Sequence, residues 1–267
     1  MDENRLKTGH VFLFLVLLAI GACGWDVRLR AQFGPLVSPF GAPQAKSQEE
    51  LDDYLNIITS TDPGQTIKLV AQFALKNPAS ELLGIAFQYQ MLSYERLNDF
   101  DGLMRAGRTA LELQPGNVNT LLTLASAIPD CAARRSDQAD LFNQGEEYAK
   151  LALQGIKRTH VPRQISLQDW EKMRGQMEAQ AHEALGHIAA KKGNLQEAIK
   201  ELELAAYHNP TPNGSQFFRL GVAYASAGKI APANKALERA AELGPQPVRE
   251  RARDELNRIS SKTQTAP

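Results

Sequence analysis

From Gln48 to about Ile259 the apolar positions recur every three or four residues, in segments of one to two dozen residues separated by short polar, glycine or proline-bearing links. This is the spacing of helices that each bury one stripe. In "SQEELDDYLNIITSTDPGQTIKLVAQFALKNP" two such patterns end at Pro78, and Asp62-Pro63 supplies a cap and first-turn pair for the second. "NVNTLLTLASAIP" and "LFNQGEEYAKLALQG" predict another pair, joined by an inserted loop from Asp130 to Asp140. Ser166 with Asp169 has the spacing of a capping box, and Ile165 with Trp170 that of a hydrophobic staple. A helix is therefore predicted from Leu167 to about Lys192, roughly 39 Å long at about 1.5 Å per residue. Trp170, Met173 and Met177 line its first half and are expected to cover the gap left by the inserted loop.

The chain repeats itself at a constant offset of 35 residues. Leu185-Gly186, Ala189, Ala198, Leu202, Ala205 and Pro210 return as Leu220-Gly221, Tyr224, Ala233, Leu237, Ala240 and Pro245. Gly186 and Gly221 allow two helices to approach closely, the leucines fill the space between them, and each proline lies where a helix must stop. These residues resemble the tetratricopeptide repeat, a helix-turn-helix unit of about 34 residues. The clearest units span 179–212 and 214–247. A degenerate one spans 84–117, with Met91 where glycine is usual, Leu103 at the first alanine and Gly107 where a large residue is expected. The resemblance implies an all-α, right-handed solenoid over 47–260, built of about five antiparallel helix pairs. "QPVRERARDELNRI" reads as a polar capping helix with Val248, Ala252 and Leu256 on its narrow apolar edge, and 261–267 as a disordered tail.

A catalytic reading finds no support. A zinc-protease helix needs histidines at i and i+4, whereas His182 and His187 are five apart, so their rings point roughly 140° apart at about 100° per residue. The chain has two cysteines, Cys23 and Cys131, and lacks GxxxxGK[ST], GxGxxG and GxSxG patterns. No enzyme, cofactor or metal is expected. Thirty basic residues balance thirty acidic ones, which leaves no general footprint for nucleic acid.

The resemblance implies instead a protein-binding groove lined by the first helices of successive pairs, at Gln88, Tyr89, Leu92, Glu183, His187, Phe218, Arg219 and Val222. The lysine–asparagine pair with which part of the family grips chain-terminal carboxylates is replaced here by Glu183 and His187, leaving Arg219 as the matching cation. Phe218 has the alternative role of packing between repeats. An interaction scaffold is the expected function, and a structural spacer or oligomer component without a dedicated groove is the other reading the sequence leaves open.

Arg5 and Lys7 precede an apolar run from Val11 to Ala22, short for a membrane span and suited to a signal-peptide core. The run ends "AIGAC", which resembles a bacterial lipoprotein cleavage box with Cys23 as the lipidated residue. Residues 1–23 are thus a lipoprotein signal, a simple signal peptide or an uncleaved anchor, and 24–46 a Gly/Pro-rich flexible linker. All three place the remainder in the cell envelope, membrane-anchored or periplasmic. With Cys23 acylated or removed, Cys131 has no disulfide partner. Cys23→Ala is expected to abolish palmitate labelling and to leave a larger, unprocessed species, since stable anchoring needs more than one acyl chain. A wild-type chain that takes up no labelled lipid and keeps Met1 at its N-terminus would refute lipidation.

Overall fold

The computed structural model describes residues 43–264, apart from 134 and 163–164. The apolar run, Cys23 and linker residues 24–42 lie outside the described residues. Eleven helices succeed one another in order: α1 (Gln48–Thr59), α2 (Pro63–Lys76), α3 (Leu83–Arg96), α4 (Phe100–Leu113), α5 (Val118–Cys131), α6 (Gln138–Arg158), α7 (Leu167–Lys191), α8 (Leu195–His208), α9 (Gly214–Ser226), α10 (Ile230–Leu243) and α11 (Gln246–Gln264). Odd and even helices up to α10 form five successive pairs, and α11 packs on the last. Among the described residues no helix is long and apolar enough to cross a membrane.

Local chemistry sets the boundaries. Asp62, Asp99, Asn117 and Asn213 cap α2, α4, α5 and α9 by accepting from the backbone N–H three residues on, at 2.6, 2.8, 3.1 and 3.1 Å. Asn213 and Gln216 complete a reciprocal capping box, as the Gln216 carbonyl accepts the Asn213 N–H at 3.2 Å. The box expected at Ser166 is only half made. Ser166 Oγ accepts the Asp169 N–H at 3.1 Å, but the carboxylate takes the Ser166 hydroxyl at 2.7 Å rather than the backbone.

The helix ends obey the same logic. α2, α4, α8 and α10 all stop two residues before a proline: Pro78, Pro115, Pro210 and Pro245. Their C-caps leave the helical region, because a residue before proline is pushed out of it. Inside the second, fourth and fifth pairs the three-residue link has a left-handed middle residue: Asn98 (φ 56°), Gly193 (φ 79°) and Gly228 (φ 72°). Glycine adopts that conformation without strain and asparagine tolerates it.

Each of these three pairs is registered by one contact between positions 16 residues apart. A Cβ on Gly186 would stand 2.7 Å from Leu202 Cγ, and a Cβ on Gly221 2.7 Å from Leu237 Cγ. In the degenerate unit the sizes are exchanged. Met91 is fully buried, and a Cβ on Gly107 would come within 2.8 Å of its sulfur and 2.6 Å of Leu124 Cδ2. The two departures noted in the sequence therefore compensate one another.

Four expectations are corrected. α5 continues through Pro129 to Cys131, since a proline in the last turn removes one donor while Ala132 N–H still reaches the Ile128 carbonyl at 2.9 Å. The inserted loop thus shrinks to 132–137, against three residues in the other pairs. The first half of α7 does not cover that loop. Met177 packs with Val118, Ala152 and Ile156, at the opposite end of the third pair, where α6 is itself extended to 21 residues. Linker residues 44–46 are held rather than free: Gln44 N–H bonds the Glu81 carboxylate at 3.2 Å and Lys46 Nζ bonds the Ala79 carbonyl. α11 reaches Gln264, four residues into the segment expected to lose order, with Ser260 and Ser261 hydroxyls bonding the Leu256 and Arg258 carbonyls.

Gly221→Leu is expected to destabilise the last pair by roughly 1–3 kcal/mol, the usual cost of overpacking. Adding Leu237→Gly to Gly221→Met, the arrangement of the second pair, should recover part of the loss in a thermal melt. A melt unchanged by Gly221→Leu would show that the contact does not set the register.

Candidate functional site

One stripe of α9 lines a cleft at helical spacing: Ser215, Phe218, Arg219, Val222 and Ser226 stand partly or fully exposed, and Ala223 is buried at its base. The last turn of α7 stands on one side of it with His187, Ala190 and Lys191, and α11 on the other with Val248 and Arg251. Between them lies a cleft of about 390 Å³ whose floor includes Leu195 and Leu202 of α8, and Asp130 of α5 closes one corner.

The charges on its rim are unequal in freedom. Arg219 is ion-paired with Glu183, whose other oxygen accepts Gln216 Nε2 at 3.1 Å. Lys191 Nζ stands 3.8 Å from Asp130 Oδ1, and His187 Nε2 3.5 Å from the same oxygen. Burial outweighs that carboxylate and, with Arg219 and Lys191 nearby, pulls the His187 pKa down to about 4. The imidazole is therefore neutral at neutral pH and adds no charge. Arg251 lies over the Phe218 ring, 4.6 Å from its centroid. Among the described residues it has no carboxylate partner.

His187, Phe218, Arg219 and Val222 thus come together in one cleft. Glu183 sits one turn behind His187 and neutralises Arg219, so the matching cation is already paired within the chain. Gln88, Tyr89 and Leu92 stand apart on α3. Gln88 accepts Asn117 Nδ2 at 2.9 Å, while Tyr89 and Leu92 pack against the cores of the first and second pairs. Phe218 lines the cleft and also packs on the core shared by α10 and α11. Lys191, Asp130 and Arg251 were missed. The available signal was Arg251, three residues after Val248 on a helix read only as a cap. His182 faces away from the cleft, its Nδ1 2.7 Å from Glu201 Oε2, and among the described residues no group of three or more His, Cys, Asp or Glu could hold a metal ion.

A family model described as tetratricopeptide repeat matches residues 179–212, which cover the second half of α7 and all of α8. Among solved structures, MamA 41-end from Desulfovibrio magneticus RS-1 superimposes with a TM-score of 0.57 at 10% identity, covering 74% of this chain and 97% of that one. BtubC (BKLC) from P. vanneervenii gives a TM-score of 0.50 at 18% identity, covering 77% and 78%. At such identities the likeness concerns the fold. No curated protein matches the chain. With a tetratricopeptide repeat matched at residues 179–212, all eleven described elements helical and solved structures of similar fold, the chain carries a tetratricopeptide repeat within an all-α, tetratricopeptide-like fold, one that supports protein–protein interaction in general.

Proposed function

We propose that the protein is a non-enzymatic scaffold of the bacterial cell envelope that holds a segment of a partner protein in the cleft between α7, α9 and α11. The observation that carries the binding role is the α9 stripe. Phe218, Arg219 and Val222 remain partly exposed beside an apolar floor that includes Ala223, although the same helix buries Leu220 and Gly221 on its other side. A concave, largely apolar surface with a few placed polar groups suits an extended or helical segment. The envelope location rests on the sequence alone, on Arg5, Lys7, the run from Val11 to Ala22 and Cys23. Membrane attachment through that N-terminus is part of the proposal.

A photo-crosslinking amino acid placed at Val222 or Ser226 in the native cell is expected to capture one defined partner segment. The same group at Glu238, exposed on the outer helix α10, should capture none. Val222→Glu should abolish the adduct formed from position 226. Equal capture from 238, or none from 222 and 226, would reject the cleft as the binding surface.

A further inference from the structure

We infer that the segment taken by this cleft carries an internal Asp or Glu side chain beside an apolar residue, with Arg251 receiving the carboxylate and Leu202, Val222 and Ala223 receiving the apolar neighbour. The inference rests on the cleft reading above and narrows it to a ligand chemistry.

Charge complementarity carries it. Three cations reach the cleft: Lys191, Arg219 and Arg251. Two are answered, Lys191 by Asp130 and Arg219 by Glu183. His187, neutral at neutral pH, leaves the balance unchanged. One uncompensated positive charge remains, and it is Arg251. A segment bringing one carboxylate closes that balance, whereas a basic segment would set like charges together at the cleft wall.

The geometry around Arg251 fits the same ligand. A guanidinium seated over a ring keeps its N–H donors, which lie in its own plane, free for a carboxylate edge. Phe218 shields one face of the group and restrains its side chain, so less rotamer freedom is lost when a ligand is gripped. Val222 and Ala223 of the apolar strip lie on the same α9 stripe, Val222 one turn beyond Phe218, with Leu202 of α8 beside them.

The length of the cleft favours a carboxylate within a segment over one at a chain end. Ser215 and Ser226 bound it on α9, eleven residues apart, about 16 Å at about 1.5 Å per residue. Phe218 and Arg251 lie inside that span. A segment lying along the groove can run past Arg251 in both directions. A terminal carboxylate would call for a group of converging donors, and Lys191 and Arg219 are already engaged.

The test uses the full chain in mild detergent and a library of random heptapeptides displayed without a free C-terminus. Peptides that bind the wild type but not Val222→Glu should be enriched in Asp or Glu next to an aromatic or aliphatic residue. For the best of these, made with an amidated end and followed by fluorescence anisotropy, Arg251→Gln should weaken binding about tenfold. Changing the acid to its amide should cost the same factor on the wild type and nothing further on Arg251→Gln, with Arg251→Lys in between. Val222-dependent peptides that show no acidic preference, or that ignore Arg251→Gln, would overturn the inference while leaving the cleft as a binding surface. The inference also fails if the acid-to-amide change weakens binding equally on wild type and Arg251→Gln. Recovery of no Val222-dependent peptide would overturn both.

Discussion

The contact between a first helix and the second helix 16 residues later sets the spacing on which the second, fourth and fifth pairs depend. Two helices packed this closely have room for one large side chain at that point, because protein interiors are filled to crystal-like density. Leu202 takes the room left by Gly186, Leu237 that left by Gly221, and Met91 that left by Gly107. What is constrained is the sum of two volumes rather than either residue. Methionine suits the inverted case, being unbranched and able to thread beside Leu124. The first pair has Tyr54 and Val70 at the equivalent positions, both buried, and uses a tilted Tyr54–Phe73 contact with ring centroids 6.5 Å apart.

The third pair departs furthest and so shapes the pairs C-terminal to it. α6 and α7 have 21 and 25 residues, where the other paired helices have 12 to 14. Their extra turns meet each other through Met177, Ala152 and Ile156. Gly175 lets α7 run close to the end of α8, since a Cβ there would be 2.5 Å from the His208 carbonyl. At the other end of α7, Lys192 reaches Asn143 at 3.0 Å and Glu146 at 2.7 Å, while Lys191 and His187 turn toward Asp130. The long helix is thereby tied to α6 and α8 along its length, and its last turn is held still as one wall of the cleft.

Five pairs, a cap and the limits of α7 were legible in the sequence because local signals determine them. Proline two residues past a helix, an Asp or Asn cap and a left-handed glycine each act within a few residues. The end of α5 was set two residues early, at Pro129, because the polar run from Asp130 carries no apolar periodicity, although the last turn still closes on the Ile128 carbonyl. The site was half legible. The 35-residue offset placed His187, Phe218, Arg219 and Val222 on facing helices, but periodicity says nothing about which charges answer each other across them. Glu183 with Arg219 is a contact between residues 36 apart, and Arg251 meets Phe218 only because α11 folds back as a cap. Gln88, Tyr89 and Leu92 stand apart from the cleft for a related reason. An equivalent repeat position joins a cleft only where neighbouring elements converge on it, and on α3 these half-buried side chains lie against Asn117 and the cores of the first two pairs instead.

Capping and binding are joined in α11. Its inward residues Ala252 and Ile259 close the core formed by Ala233, Leu237 and Ala240, which would otherwise end the solenoid on an exposed apolar face. Arg251 precedes Ala252 by one residue, so the rotation that buries the alanine also turns the arginine toward Phe218. The cap therefore cannot be seated without building the cleft wall. Phe218 strengthens the link, as its ring contributes to the core beneath and supports the cation above. Removing α11 would expose the core and abolish the wall together, which makes deletion uninformative about binding. Changes to the exposed head of Arg251 leave Ala252 and Ile259 buried, and so separate recognition from stability.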